Sequence, residues 1–219
     1  MDGVRLATLA QRGYGIAGAK VGLPYAHYRP HRLFGPLADL SRLGIASVAF
    51  DRSAAFPFQG QAKHSEAIRH ALIDGTSVLH GDYLVPEDPS LETLFVASPG
   101  IIHATLCIAC NATLNLRRVD APEGVGAVGY RATAVQEEDL FLSWPASVLD
   151  AGRGGAGEAG LPGALPVGDS TILLPRCSAL PAIRKGDVLP TEDGRRFGVM
   201  RAESGHLGWR VAARTLVAT

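Results

Sequence analysis

The chain has 219 residues, 47% of them apolar, and 21 Lys and Arg balance 21 Asp and Glu to a formal charge of zero. That length buries roughly 70% of the unfolded surface without a disulfide or metal staple, and the apolar content excludes a globally disordered chain. Balanced charge removes the clustered positive footprint of a dedicated nucleic-acid binder. It also leaves little colloidal repulsion, which a protein packed among neighbours tolerates.

In chain order, residues 4–20 read as a helix, with Leu6, Leu9, Ala10, Ile16 and Ala17 near helical spacing. Gly13 and Gly15 weaken its middle by about 1 kcal/mol each, which predicts two short turns. Gly22 and Pro24 end it, and Tyr25 to Pro30 reads as extended because the residue before proline is pushed out of helical geometry. A helix and extended arm over 1–30 suits reaching a neighbouring subunit, or packing on its own domain. Residues 31–75 give only fragments: a strand from Ile45 to Phe50, one helical turn or a strand from Ser65 to Leu72, and loop signals at Gly35-Pro36 and Phe56-Pro57-Phe58.

From His80 the pattern sharpens. Gly81 to Val85 is a turn into a strand, Leu94 to Ala97 a second strand, and residues 101–118 one or two more. Leu140 to Trp144 reads as a strand ending at Pro145, and Thr171 to Leu174 as another. Between these two lie the glycines of Ala151 to Gly160, within a long loop over 151–168. Gly186 to Leu189 is again a turn into a strand. Asp193-Gly194 marks a hairpin, Phe197 to Met200 the returning strand, and Trp209 to Ala218 the closing one.

Two stretches look like copies of one module. Gly81-Asp82-Tyr83-Leu84 matches Gly186-Asp187-Val188-Leu189, Phe95 matches Phe197, and Thr113-Leu114 matches Thr215-Leu216. Glycine permits the tight entry, and Asp bonds local backbone amides in the turn. The expected fold is mainly β: an N-terminal helix with two small barrel or sandwich modules of SH3 or OB type, over 31–120 and 121–219.

Catalytic constellations are sparse. Cys107 and Cys110 form a Cys-x-x-Cys pair, which suits a redox couple or half a zinc site. The pair lies in a strand-like run and has only Cys177 as a further thiol, so packed apolar cysteines are the better reading. Seven histidines (His27, His31, His64, His70, His80, His103 and His206) show no metal-helix spacing. No nucleophile elbow or Walker-type loop occurs. Glu137-Glu138-Asp139 reads as a solvated turn. Arg117, Arg118, Arg195 and Arg196 read as surface arginines, with a DNA-facing channel as the alternative. No catalytic residue, cofactor or metal is therefore assigned. Tyr14, Tyr28, Arg29, Trp144 and Trp209 are the candidate interface residues.

The runs Gly81 to Val85, Leu94 to Ala97 and Cys107 to Asn111 resemble virion proteins of tailed phages and prophages of GC-rich bacteria. So do Ser143 to Leu149, Asp193 to Phe197 and Gly208-Trp209-Arg210, with Arg12 to Gly15 and Tyr28 to Pro30. The last module is also similar to the small β-barrel of phage head–tail joining proteins, which form rings under the portal. The resemblance implies a virion structural protein that assembles with copies of itself and with portal, adaptor or tail proteins, touches DNA at most non-specifically in a channel, and is made in the host cytoplasm. A tail-tip or baseplate role, a free-standing adaptor and an enzyme using the Cys107–Cys110 pair are the rivals. No run of 18 apolar residues predicts a membrane span, and no signal-peptide core follows Met1.

Overall fold

The computed structural model describes residues 2–51, 67–100, 103–119, 137–150 and 169–216. Asp2 caps helix α1 by accepting the Val4 amide at 3.3 Å, and α1 runs unbroken over Gly3–Val21. The expected break at Gly13 and Gly15 does not occur. Tertiary packing overrides propensity: a Cβ at Gly18 would stand 2.6 Å from the Leu72 carbonyl oxygen and 2.8 Å from that of Ser47. The helix backbone thus rests on the sheet where only glycine fits.

The first barrel comprises β1 (Leu23–Tyr28), β2 (Arg42–Asp51), β3 (Ile68–Leu72), β4 (Tyr83–Pro86), β5 (Leu94–Ser98) and β6 (Thr105–Ala109). They close in the order β1-β2-β3-β6-β5-β4, antiparallel throughout. The second comprises β7 (Ala112–Val119), β8 (Glu137–Asp150), β9 (Asp169–Leu174), β10 (Val188–Pro190), β11 (Arg196–Gly205) and β12 (Gly208–Thr215). Its order is β7-β8-β9-β12-β11-β10. Each strand of the second barrel has the neighbours of its counterpart in the first, so one topology is used twice. Closure of the second barrel is thinner. β7 meets β10 through Val188 and Arg117, with a bridge from Leu114 to Thr191, whereas β1 meets β4 over Tyr25–Pro86 to Tyr28–Tyr83.

The mainly β architecture with an N-terminal helix and two small barrel modules is therefore present. Its internal boundaries differ from those expected. The segment taken as an arm is β1, a full member of the first barrel. The chain passes to the second barrel between Ala109 and Ala112, not at 120, so Thr113-Leu114 begins the second barrel instead of closing the first. Register also shifts the repeat by one residue. Leu84 pairs with Leu94 and Leu189 with Phe197, so Phe197 is the counterpart of Leu94, not Phe95. Strand β8 does not stop at Pro145. Its pairing with β9 begins at Ser147, so at Pro145 it has β7 alone beside it, an edge-like position where a missing N–H is tolerated. The Gly-rich segment 151–168 and Phe56-Pro57-Phe58 lie outside the described residues.

Strand alternation makes two cores. Tyr25, Val48, Leu84, Leu94, Val96 and Cys107 fill the first barrel. Their neighbours Tyr83, Phe95 and Ile108 point the other way and join Phe141, Trp144 and Leu189 of the second barrel. Strands β4, β5 and β6 are thus buried on both faces, which explains their near-continuous apolar runs. Helix α1 packs against β2 and β3. In the ring order β2 stands opposite β5, and β3 opposite β4.

Candidate functional site

Three features bear on function: the seam between the barrels, a duplicated ionic clasp, and the exposed apolar surfaces. At the seam the Tyr83 ring meets Trp144 edge-on at 6.2 Å and Phe95 at 6.3 Å, and Phe141 lies 5.9 Å from Trp144. The Tyr83 hydroxyl donates to the Pro145 carbonyl at 2.7 Å, and the Trp144 indole donates to the Leu33 carbonyl at 2.8 Å. Asn111, between the barrels, donates to the Val148 carbonyl and accepts its amide, at 2.8 and 2.7 Å. Buried aromatic rings with satisfied polar ends fix one relative orientation of the two barrels.

The Gly-Asp motif seen twice in the sequence builds the same clasp twice. The Arg29 guanidinium donates to both oxygens of Asp82 at 2.9 and 2.8 Å and to the Ser77 carbonyl at 3.1 Å. The Arg118 guanidinium donates to both oxygens of Asp187 at 2.8 Å and to the Ala182 carbonyl at 3.0 Å. Each carboxylate also accepts the amide three residues upstream, from Leu79 or Arg184, at 2.8 Å. The backbone of each Gly-Asp pair bonds across to Val96 or Val199. Gly81 and Gly186 take φ values of +84° and +93°, which the turn requires. These bidentate, charge-assisted bonds tie the strand after each turn to the first strand of its barrel.

The first clasp has an extra member, since His27 meets Asp82 at 2.8 Å with both side chains buried. Burial raises the Asp82 pKa, but the bonds from His27, Arg29 and the Leu79 amide outweigh it and hold the carboxyl below its ordinary value. Sequence reasoning flagged both Gly-Asp turns yet missed their arginine partners, which stand far away in the chain. The repeated motif was the available signal.

The other candidates fall into place around this frame. Cys107 is buried in the first core, and its thiol is pushed up to about 12 by burial. Burial also raises Cys110. Both are free thiols, and a raised pKa opposes thiolate chemistry. Among the described residues no group of three or more His, Cys, Asp or Glu is placed to hold a metal ion. Arg117 pairs with Asp139 at 2.7 Å and Glu137 at 3.3 Å, Arg196 with Glu137 at 2.6 Å, and Arg195 with Asp193 at 2.8 Å. With Arg118 bound to Asp187, these arginines are locally neutralised, which disfavours a DNA-facing channel. Glu137 and Asp139 are strand residues of β8 that hold arginine, not a solvated turn.

Of the candidate interface residues, Trp144 is fully buried within the chain and serves the seam, so it has no outer surface to offer. Tyr28 packs against the same core, Trp209 is half-buried on β12, and Arg29 is committed to Asp82. Tyr14 is half-buried on α1.

The exposed apolar surface lies elsewhere. On α1, Leu6, Leu9 and Ile16 are 44%, 57% and 49% exposed, while the barrel side of the helix carries Gln11, bonded to the Gly100 carbonyl, and the close-packed Gly18. On the outer side of β2, Leu43 and Ile45 are also exposed. A groove of ≈ 580 Å³ opens where the β4–β5 connection, the inter-barrel link and the β10–β11 turn meet. Leu37, Leu91 and Ala112 line it, with Glu92, Glu192 and Asp193. Among the described residues no helix is long and apolar enough to cross a membrane. No family model, no curated protein and no solved structure matches the chain.

Proposed function

We propose that the chain is a structural assembly subunit, a ring-forming component of a tailed-phage neck or tail that binds copies of itself and adjacent virion proteins. The observation that carries this reading is the exposed outer side of α1, where Leu6, Leu9 and Ile16 stand in solvent on a helix anchored to its barrel through Gly18. An amphipathic helix presenting its apolar side outward is a docking element. The seam and the two clasps support the same reading, because a subunit that sets geometry needs its two barrels held in one orientation. The mechanism is geometric: the rigid double barrel fixes the angle between successive copies, and closed symmetry follows if that angle returns to its start.

The test is a single-particle electron-microscopy map of purified virus-like particles, with mass spectrometry of their proteins. A ring of density fitting the double barrel supports the reading, and its place separates a neck role from a tail-tip role. Absence of the chain from the particles overturns it.

A further inference from the structure

Helix α1 is one-sided in charge as well as in apolarity. It carries Arg5, Arg12 and Lys20, all exposed, and no Asp or Glu between Gly3 and Val21. Its outward apolar residues Leu6, Leu9 and Ile16 fall at i, i+3 and i+10, with exposed Gly13 between them at i+7, along a helix edge that also carries Lys20. The inter-barrel groove has the complementary character. Leu37, Leu91 and Ala112 give it an apolar floor. Its charged lining among the described residues is Glu92, Glu192 and Asp193, with no Lys or Arg. Two of these carboxylates are already ion-paired, Glu92 with Arg69 at 2.8 Å and Asp193 with Arg195 at 2.8 Å, so the negative character of the groove is partly offset and rests most on Glu192. A volume of ≈ 580 Å³ suits a few side chains from a helix edge.

The two surfaces face apart. The helix lies on β2 and β3, and the groove opens at the connection between β4 and β5, which stand across the barrel from β3 and β2. One molecule cannot satisfy both surfaces with itself. We propose that the outer edge of α1 docks in the inter-barrel groove of a second copy of this chain, a head-to-tail contact in which Leu6, Leu9 and Ile16 meet the apolar floor and the helix cations meet the groove carboxylates. Such a heterologous contact leaves one helix and one groove open at each step, so it builds a ring or a filament and never stops at a two-fold dimer. This inference rests on the reading of the chain as an assembly subunit, and it names the interface.

The test uses the full-length chain and two variants at exposed positions. L9E/I16E spoils the helix edge, and E92R/E192R reverses the groove charge. Unchanged circular dichroism and thermal melts establish that both fold. Light scattering after size exclusion and analytical ultracentrifugation then report assembly. The wild type is expected to form oligomers larger than a dimer, and each variant alone to be monomeric, with association weakened about 100-fold or more by juxtaposed like charge or a buried carboxylate. A 1:1 mixture of the two variants retains one intact helix and one intact groove, so association is expected to return in the mixture while each variant alone stays monomeric. Oligomers that persist in E92R/E192R overturn the proposal, since the helix then docks elsewhere. A monomeric wild type also overturns it, while detection of the chain in particles leaves the assembly reading standing.

Discussion

Among the described residues, the first barrel gathers His27, Arg29 and the Leu79 amide on Asp82, where the second gathers Arg118 and the Arg184 amide on Asp187. The first is also covered on two sides, by α1 over β2 and β3 and by the second barrel against β4, β5 and β6. The second closes through fewer pairs, and its β11–β12 hairpin runs out to Gly205 and Gly208 with Met200 and Leu207 exposed. One topology thus serves two purposes. The first barrel is the braced core on which other elements sit, and the second extends a long, exposed hairpin.

The comparison breaks most severely at the seam, because Trp144 serves both barrels. Trp144→Ala is expected to cost about 4 kcal/mol through the cavity it leaves, read as a fall in the urea midpoint. Phe197→Ala, inside the second barrel alone, tests whether the barrels unfold together: one transition by every probe means that the seam couples them.

The clasps come next. Asp82→Ala strands a guanidinium and a buried histidine, and the expected loss is about 3 kcal/mol; Asp187→Ala strands Arg118, for about 2 kcal/mol. Equal losses in chemical denaturation would show that His27 adds nothing to the first clasp.

Acid sharpens the same contrast. The folded Asp82 carboxyl sits below its unfolded value. Its contribution is therefore fully present above the unfolded pKa, near 4, and is lost as pH falls through the lower folded value. Unfolding followed from pH 6 to pH 2 should show this loss in the wild type. Asp82→Asn should flatten it, at the cost of a lower plateau near neutrality. A wild-type acid limb unchanged in the variant would remove Asp82 from the account.

The smallest expected effect is at the seam's polar edge. Tyr83→Phe removes the bond to the Pro145 carbonyl and keeps the ring, so about 1 kcal/mol is expected from thermal melts. Cys107→Ser with Cys110→Ser belongs near this scale and should lower stability modestly, since both thiols are held protonated by burial.

The sequence by itself determined the helix, most strands, both Gly-Asp turns and the Asp193-Gly194 hairpin, because those depend on local periodicity and on glycine at fixed turn positions. Asp193-Gly194 forms its hairpin, and the Gly-Asp-x-Leu motif marks equivalent strands in both barrels. Even the unbroken α1 was half legible: its apolar spacing was plain, while the close approach of Gly18 to the backbone of β2 and β3 depended on a sheet not visible in the chain. Only the tertiary structure decided where one barrel ends, since β6 and β7 are adjacent apolar strands and their partners, not their composition, assign them. It also decided that Arg29 and Arg118 are clasp residues, because each meets an Asp more than fifty residues away. It set Trp144 inside the seam and left Leu6, Leu9 and Ile16 outside. Apolar character is written in the sequence; which apolar side chains find a partner within the same chain depends on long-range pairing, and those that find none mark the surface proposed for assembly.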